Sequence, residues 1–206
     1  MVTLGVIAAN AAVFFYQLAR GDAAPQFVHE YGLFPVELIH GANLPSSQGI
    51  APALSLLTSM FLHAGWGHLI GNMWFLWIFG DNIEDELGHL RFLLFYLLGG
   101  VAAGLTHVIM NPDSVIPTVG ASGAVSAVLG AYLVLHPSIR IRTLLVLGFL
   151  IDVVRVPAVF FLGLWFLWQF VGSMASGATG GIAFGAHIGG FVVGAAYAAL
   201  HRQRRL

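Results

Sequence analysis

The sequence predicts an all-α, polytopic membrane protein built as a six-helix bundle, and three observations carry that prediction. Of its 206 residues, 58% are hydrophobic and 8% charged, about a third of the charge that a soluble domain carries. Six stretches are long and apolar enough, or nearly so, to cross a bilayer, which takes about 20 mainly apolar residues. The chain holds 26 glycines, small residues that let membrane helices pack closely. With mean hydropathy +0.87, an ordinary soluble globule and a disordered chain are both excluded. Eight basic residues, all Arg, against nine acidic ones exclude a nucleic-acid binder. Without Cys there are no disulfides, thiolate metal sites or Cys nucleophiles.

The predicted spans run Val2–Ala19, Gly67–Ile83, Arg91–Met110, Val119–His136, Val156–Ala175 and Ile182–Leu200, in one domain over 1–206. Runs such as AAYAAL and FLLFYLL lack the alternation of barrel strands, so helices are favoured. The first span lacks a basic n-region and leads into five more, so it reads as a retained helix rather than a signal peptide. With the N terminus inside, Arg91, Arg140, Arg142, Arg155, Arg202, Arg204 and Arg205 fall on the cytoplasmic side and only Arg20 outside, a positive-inside bias. Both termini are then cytoplasmic, with a basic tail over 201–206. The outer connection, 21–66, carries Phe27, Val28, Tyr31, Leu33, Phe34 and Leu38 and reads as an interfacial loop. The apolar segment 143–155, interrupted by Asp152 and Arg155, reads as an interfacial lead-in to the fifth span. The stretch 172–181 (GSMASGATGG) reads as a mobile outer cap.

Polar groups inside spans are costly and call for a partner or a function. His68, Ser122 and His187 each lie within about five residues of the outer entry of an even-numbered helix, less than ~9 Å deep at 1.5 Å per residue. Ser122 sits in Gly120-Ala121-Ser122-Gly123 at the mouth of a helix, where unpaired N–H groups and the positive end of the dipole favour an oxyanion. Ser122, Ser126 and Gly130 recur every four residues, as do Gly123, Ala127 and Ala131. Gly190 and Gly194 follow His187 on its own face. If these stripes meet, His187 reaches the Ser122 hydroxyl and can activate it. His68 and Asn72, an i, i+4 pair, can donate hydrogen bonds to an oxyanion. Asn10 and Gln169 read as interhelical hydrogen-bonders, His107 as interfacial, and His63 as either structural or a support to the site. Glu84, Asp85 and Glu86 read as capping groups or partners of Arg91.

The stretches LLTSMFLHAGWGHLIGNMWFLWIFGDNIEDELG, GASGAVSAVLGAYL and AHIGGFVVG resemble the rhomboid intramembrane serine proteases, in the family's order from about Leu56 to Gly194. The resemblance implies a six-helix bundle that cleaves transmembrane segments of other proteins in the outer half of the bilayer. By motif, Ser122 matches the nucleophile and His187 the general base. His68 and Asn72 match the oxyanion donors, together with the Ser122 N–H, and Gly120 matches the glycine that opens the nucleophile's turn. No metal or cofactor is expected, and the partners are transmembrane substrates and the lipid bilayer. Two departures stand out: Ser126 where many members have an aromatic residue packing on the catalytic His, and Leu54-Ser55 where many have Trp-Arg.

The expected activity is a serine-type intramembrane endopeptidase in a membrane, most simply a prokaryotic plasma membrane, with its site opening on the extracytoplasmic side. A catalytically inactive rhomboid-like protein that binds transmembrane segments is the alternative, disfavoured because a binder needs neither Ser122 nor His187. A transporter is disfavoured by the shallow, one-sided cluster. A zinc protease is disfavoured by the lack of HExxH.

Overall fold

The computed structural model describes residues 1–41, 50–147, 150–176 and 183–203, with side chains described for all of these but 146, 147, 150 and 172–176. The described helices are α1 (Val2–Ala19), α2 (Ala24–Tyr31), α3 (Pro35–His40), α4 (Pro52–Thr58), α5 (Trp66–Leu87), α6 (His89–Met110), α7 (Ser122–Leu135), α8 (Ala158–Ser176) and α9 (Phe184–Gln203). Short 3₁₀ turns cover Gly21–Ala23 and Ser59–Phe61. Among the described residues, α1, α6 and α9 are long and apolar enough to cross a membrane on their own, and α7 and α8 contain shorter apolar helices. Helix α5 has 22 residues and runs four beyond the expected Ile83, through the acidic turn that holds Glu84, Asp85 and Glu86.

At the centre lies α7, packed against α5, α6, α8 and α9 and buried at every position from Gly123 to Tyr132. Its contact with α9 depends on the two small-residue stripes meeting. A Cβ added at Gly190 would overlap the Gly123 carbonyl, one at Gly194 the Ala127 carbonyl, and one at Gly130 the Phe191 carbonyl. The backbones touch where side chains would otherwise stand, the arrangement small residues allow in membranes.

Helix α1 is tied in at both ends. Near its start, Glu84 of α5 accepts hydrogen bonds from the Val2 N–H (2.6 Å), the Thr3 N–H (2.7 Å) and the Thr3 hydroxyl (2.6 Å), and it also pairs with His89. A carboxylate thus caps the positive end of the α1 dipole. Of the two expectations for this acidic turn, capping and a partnership with Arg91, Glu84 meets the first, because the first N–H groups of α1 have no intrahelical acceptors and take its carboxylate. Near the other end, the Gln17 amide donates to the His63 carbonyl at 2.8 Å and its oxygen faces the His63 N–H at 3.4 Å.

The all-α expectation needs a correction. Segment 140–157, expected as an interfacial lead-in, forms an antiparallel hairpin of β1 (Arg140–Leu147) and β2 (Leu150–Pro157), with Arg142 opposite Arg155 and Leu144 opposite Val153. Four of the eight β2 residues are Val or Ile (Ile151, Val153, Val154 and Val156), side chains that favour extended backbone. In an apolar segment this alternation was hidden, because Leu and Val occupy both faces. The cap expected over 172–181 divides: 172–176 complete α8, and 177–181 lie outside the described residues, as do Arg204 and Arg205. In the described part of the outer connection, the interfacial loop forms the short helices α2, α3 and α4.

Substituting Gly194→Ala should lower thermal stability by about 1–3 kcal/mol, the cost of overpacking a close contact. Gly163→Ala, where an added Cβ meets nothing, should leave it unchanged or slightly raised. A melting curve of each variant in detergent checks both. Glu84→Ala should cost about 3 kcal/mol in the same measurement, since it strands donors that now bond a charged acceptor.

Candidate active site

Ser122 is the first residue of α7, so its hydroxyl and the N–H groups of the first turn stand where the helix has no acceptors of its own. The chain enters this turn through a clamped segment. Leu33 and Thr118 exchange backbone hydrogen bonds of 3.0 and 2.8 Å, and the Gly120 N–H donates to the Ser59 carbonyl at 2.9 Å. The outer connection therefore holds the approach to Ser122. Its own anchor is the Thr58 hydroxyl, which donates to the Tyr31 carbonyl at 2.7 Å, while the Ser55 hydroxyl donates to Pro52 at 2.6 Å. These bonds fix the loop where Leu54-Ser55 replaces Trp-Arg.

Gly120 has φ +124°, and a Cβ there would lie 2.6 Å from the Nε2 and Cε1 atoms of His68. Two independent reasons thus demand glycine: a backbone conformation that side chains resist, and an imidazole seated directly against the chain. His68 accepts from the Ala64 N–H through Nδ1 at a long 3.4 Å, which leaves Nε2–H as its donor. The Asn72 amide donates to the His68 carbonyl at 3.0 Å and is itself buried.

On the facing helix, His187 places Nε2 2.8 Å from the Ser122 Oγ and Nδ1 2.8 Å from the Gln169 Oε1 of α8. Rings surround it: Trp165 lies 6.2 Å away between centroids and Phe184 6.3 Å away, edge-on. Ser126, where the family often has an aromatic residue, turns its hydroxyl to the Ser122 carbonyl at 2.6 Å. Ser122, His187, His68, Asn72, Gln169 and Trp165 all line one cavity of about 870 Å³. Gly120 lies beside it, under His68. His107 also lines that cavity rather than standing apart at an interface, because α6 packs along α9 and brings it against Gly185. Asn10 donates to the Val6 carbonyl of its own helix at 2.8 Å, and its side chain also meets that of Tyr96 across the α1–α6 boundary. Among the described residues no group of three metal-ligating side chains comes together.

A model of the Rhomboid domain matches residues 52–204 of the chain. The chain belongs to the rhomboid family. Relatives include RHOMBOID-like protein 9, chloroplastic, of Arabidopsis thaliana, 35% identical over 54% of this chain and 25% of its own. RHOMBOID-like protein 12, mitochondrial, of the same plant is 29% identical over 98% of this chain and 59% of its own. Rhomboid protease GluP of Bacillus subtilis is 39% identical over 45% of this chain and 18% of its own. The chain thus spans less than two thirds of the length of each of these relatives. A rhomboid domain carried on strongly apolar helices makes this a multi-pass integral membrane protein. The relatives' names point to chloroplasts, mitochondria and a bacterium alike, so they do not single out the prokaryotic plasma membrane.

Two further residues, Gln169 and His63, stand at or beside this site. Gln169 looked like ordinary interhelical glue, and only its spacing of four from Trp165, on the same face of α8, could have marked it. His63 is fully buried, its ring 5.1 Å from that of His68. Burial, reinforced by nearby His68 and opposed by the Phe61 carbonyl, pushes its imidazole down to about 4. The folded state therefore refuses a proton that the unfolded chain accepts below its ordinary value of 6.5. Stability is full above that value and falls as pH drops from 6.5 toward 4, by up to roughly 3 kcal/mol. Melting curves across that range should show the loss in wild type and a shallower one in His63→Gln.

Proposed function

We propose that this rhomboid is an intramembrane serine endopeptidase whose dyad is Ser122 and His187. The observation that carries the reading is the 2.8 Å approach of His187 Nε2 to the Ser122 Oγ, between residues 65 apart in sequence, inside a cavity of the bundle. Ser122 attacks the scissile carbonyl while His187 takes its proton through Nε2. The resulting oxyanion lies against the first-turn N–H groups of α7, the Nε2–H of His68 and the amide of Asn72. Each such donor contributes ~3–4 kcal/mol in soluble serine hydrolases. His187 then protonates the leaving amine, and water resolves the acyl-enzyme by the same route in reverse.

The substrates are transmembrane segments of other proteins. A helical substrate hides its carbonyls in its own hydrogen bonds, so cleavage falls where Gly, Pro or small residues loosen it. The full reading has six spans, α1, α5, α6, α7, α8 and α9, with both ends of the chain cytoplasmic. The Arg distribution supports that orientation, which opens the cavity to the extracytoplasmic side.

In liposomes carrying a tagged transmembrane substrate, wild type should release a cleaved fragment. Ser122→Ala and His187→Ala should lower the rate about 10⁴-fold or more. Asn72→Ala should lower it about 10²–10³-fold. Cleavage by Ser122→Ala at the wild-type rate would overturn the mechanism. Tight substrate binding without cleavage by wild type would mark a binding protein instead.

A further inference from the structure

We propose that Gln169 is the positioning residue of the dyad, holding His187 in the one tautomer able to accept the Ser122 proton. This rests on the reading of Ser122 and His187 as nucleophile and base. A neutral imidazole has one N–H and one bare nitrogen. The Gln169 Oε1, an acceptor, stands 2.8 Å from Nδ1 and so keeps the proton there. Nε2 is left bare and faces the Ser122 hydroxyl at 2.8 Å. The opposite tautomer would set two acceptors against each other on the Gln169 side unless the amide turned over to present its NH2. The Gln169 amide is 9% exposed, too buried for water to stand in freely for the ring.

Helix α8 does more than supply this bond. Trp165, one turn before Gln169, lies over the His187 ring at 6.2 Å and 35° and continues onto Phe191 at 6.0 Å. One face of α8 thus fixes both the plane and the tautomer of the imidazole. That is why α7 can carry Ser126, whose hydroxyl is spent on the Ser122 carbonyl. The charges around the ring fit a neutral acceptor. The cavity lining holds His68 from α5 and His107 from α6 as its other titratable groups, and α7, α8 and α9 add none beyond His187 itself. Among the described residues no carboxylate lines it. When the Ser122 proton moves to Nε2, the Nδ1 proton stays shared with Gln169, and the new charge is met by an amide dipole.

The test follows labelling of the purified, full-length protein by a fluorophosphonate probe over a range of pH, with ¹⁵N spectra of the histidines. Gln169→Leu should label about 10- to 100-fold more slowly, as losses of orienting partners do, and its His187 should show mixed tautomers. Gln169→Glu keeps the acceptor and adds charge, so it should restore the rate and move the acid limb of the profile to higher pH. Gln169→Leu labelling at the wild-type rate with an Nδ1-protonated His187 would overturn the proposal. If Gln169→Leu does not fold, a Gln169→Glu profile superimposable on wild type would overturn it. Equal labelling of Ser122→Ala and wild type would instead sink the dyad reading beneath it.

The hairpin carries a second inference by a separate observation. On one face of the sheet, Arg140, Arg142, Leu144, Ile151, Val153 and Arg155 are all exposed, whereas on the other Ile141, Thr143, Leu145, Val154 and Val156 are partly covered and only Asp152, opposite Leu145, is exposed. The three Arg cluster at the base, and Leu144, Val153 and Ile151, 63%, 52% and 67% exposed, lie toward the turn. Among the described residues none of these Arg forms an ion pair. The apolar surface continues onto Val159 and Phe160, exposed at the start of α8. We infer that this face lies on the bilayer surface, with its Arg on anionic phospholipid headgroups and its apolar half in the acyl boundary.

Because the chain has no Cys, Leu144→Cys and Val153→Cys each accept one spin label on the full-length protein. In nanodiscs containing phosphatidylglycerol, the labels should be more accessible to oxygen than to a water-soluble nickel chelate. Combined Arg140→Ala, Arg142→Ala and Arg155→Ala should shift them toward the chelate. Labels open to the chelate in the unaltered background, or spin–spin coupling that reports a second copy on this face, would overturn the inference.

Discussion

The site depends on two helix backbones touching. Gly190 and Gly194 of α9 lie against the carbonyls of Gly123 and Ala127 of α7, and that contact brings His187 to Ser122. A methyl group at either glycine would have to push the helices apart. Displacing His187 by even 1 Å would stretch a 2.8 Å bond past useful length. In membranes, where lipid is as apolar as leucine, such close contact is a main source of helix association. The same glycines thus hold the bundle and set the reaction geometry.

Around that contact each element supplies one constraint. Helix α5 brings His68 against Gly120, where only glycine leaves room. The outer connection holds the entry to α7 through Leu33, Thr118 and Ser59. Helix α8 holds the imidazole from the far side through Gln169 and Trp165. Ser122, His187 and His68 come from three different helices, and each is held by neighbours of its own. This is the preorganisation on which oxyanion stabilisation relies.

Much of this was legible in the sequence, and the reasons are specific. The stripes Gly123, Ala127 and Gly190, Gly194 are periodic, so their faces could be read without knowing the fold. Ser122, His187, His68 and Asn72 are polar in apolar surroundings, which makes them conspicuous. Gln169 was just as conspicuous, but its partner is 18 residues away on another helix, and spacing alone does not give the α8–α9 crossing. The hairpin escaped because apolar residues stand on both of its faces, Leu144 and Val153 on one and Leu145 and Val154 on the other, which leaves no clean alternation. The partner of Glu84 escaped because helix α1 offers backbone N–H groups, which no side-chain pattern reveals.

The most direct test of the dyad is mass spectrometry of the protein after reaction with a fluorophosphonate. A phosphonylated peptide carrying the adduct on Ser122, absent from His187→Ala, is the result this account predicts. An adduct on another serine, or one on Ser122 that forms as readily without His187, would contradict it.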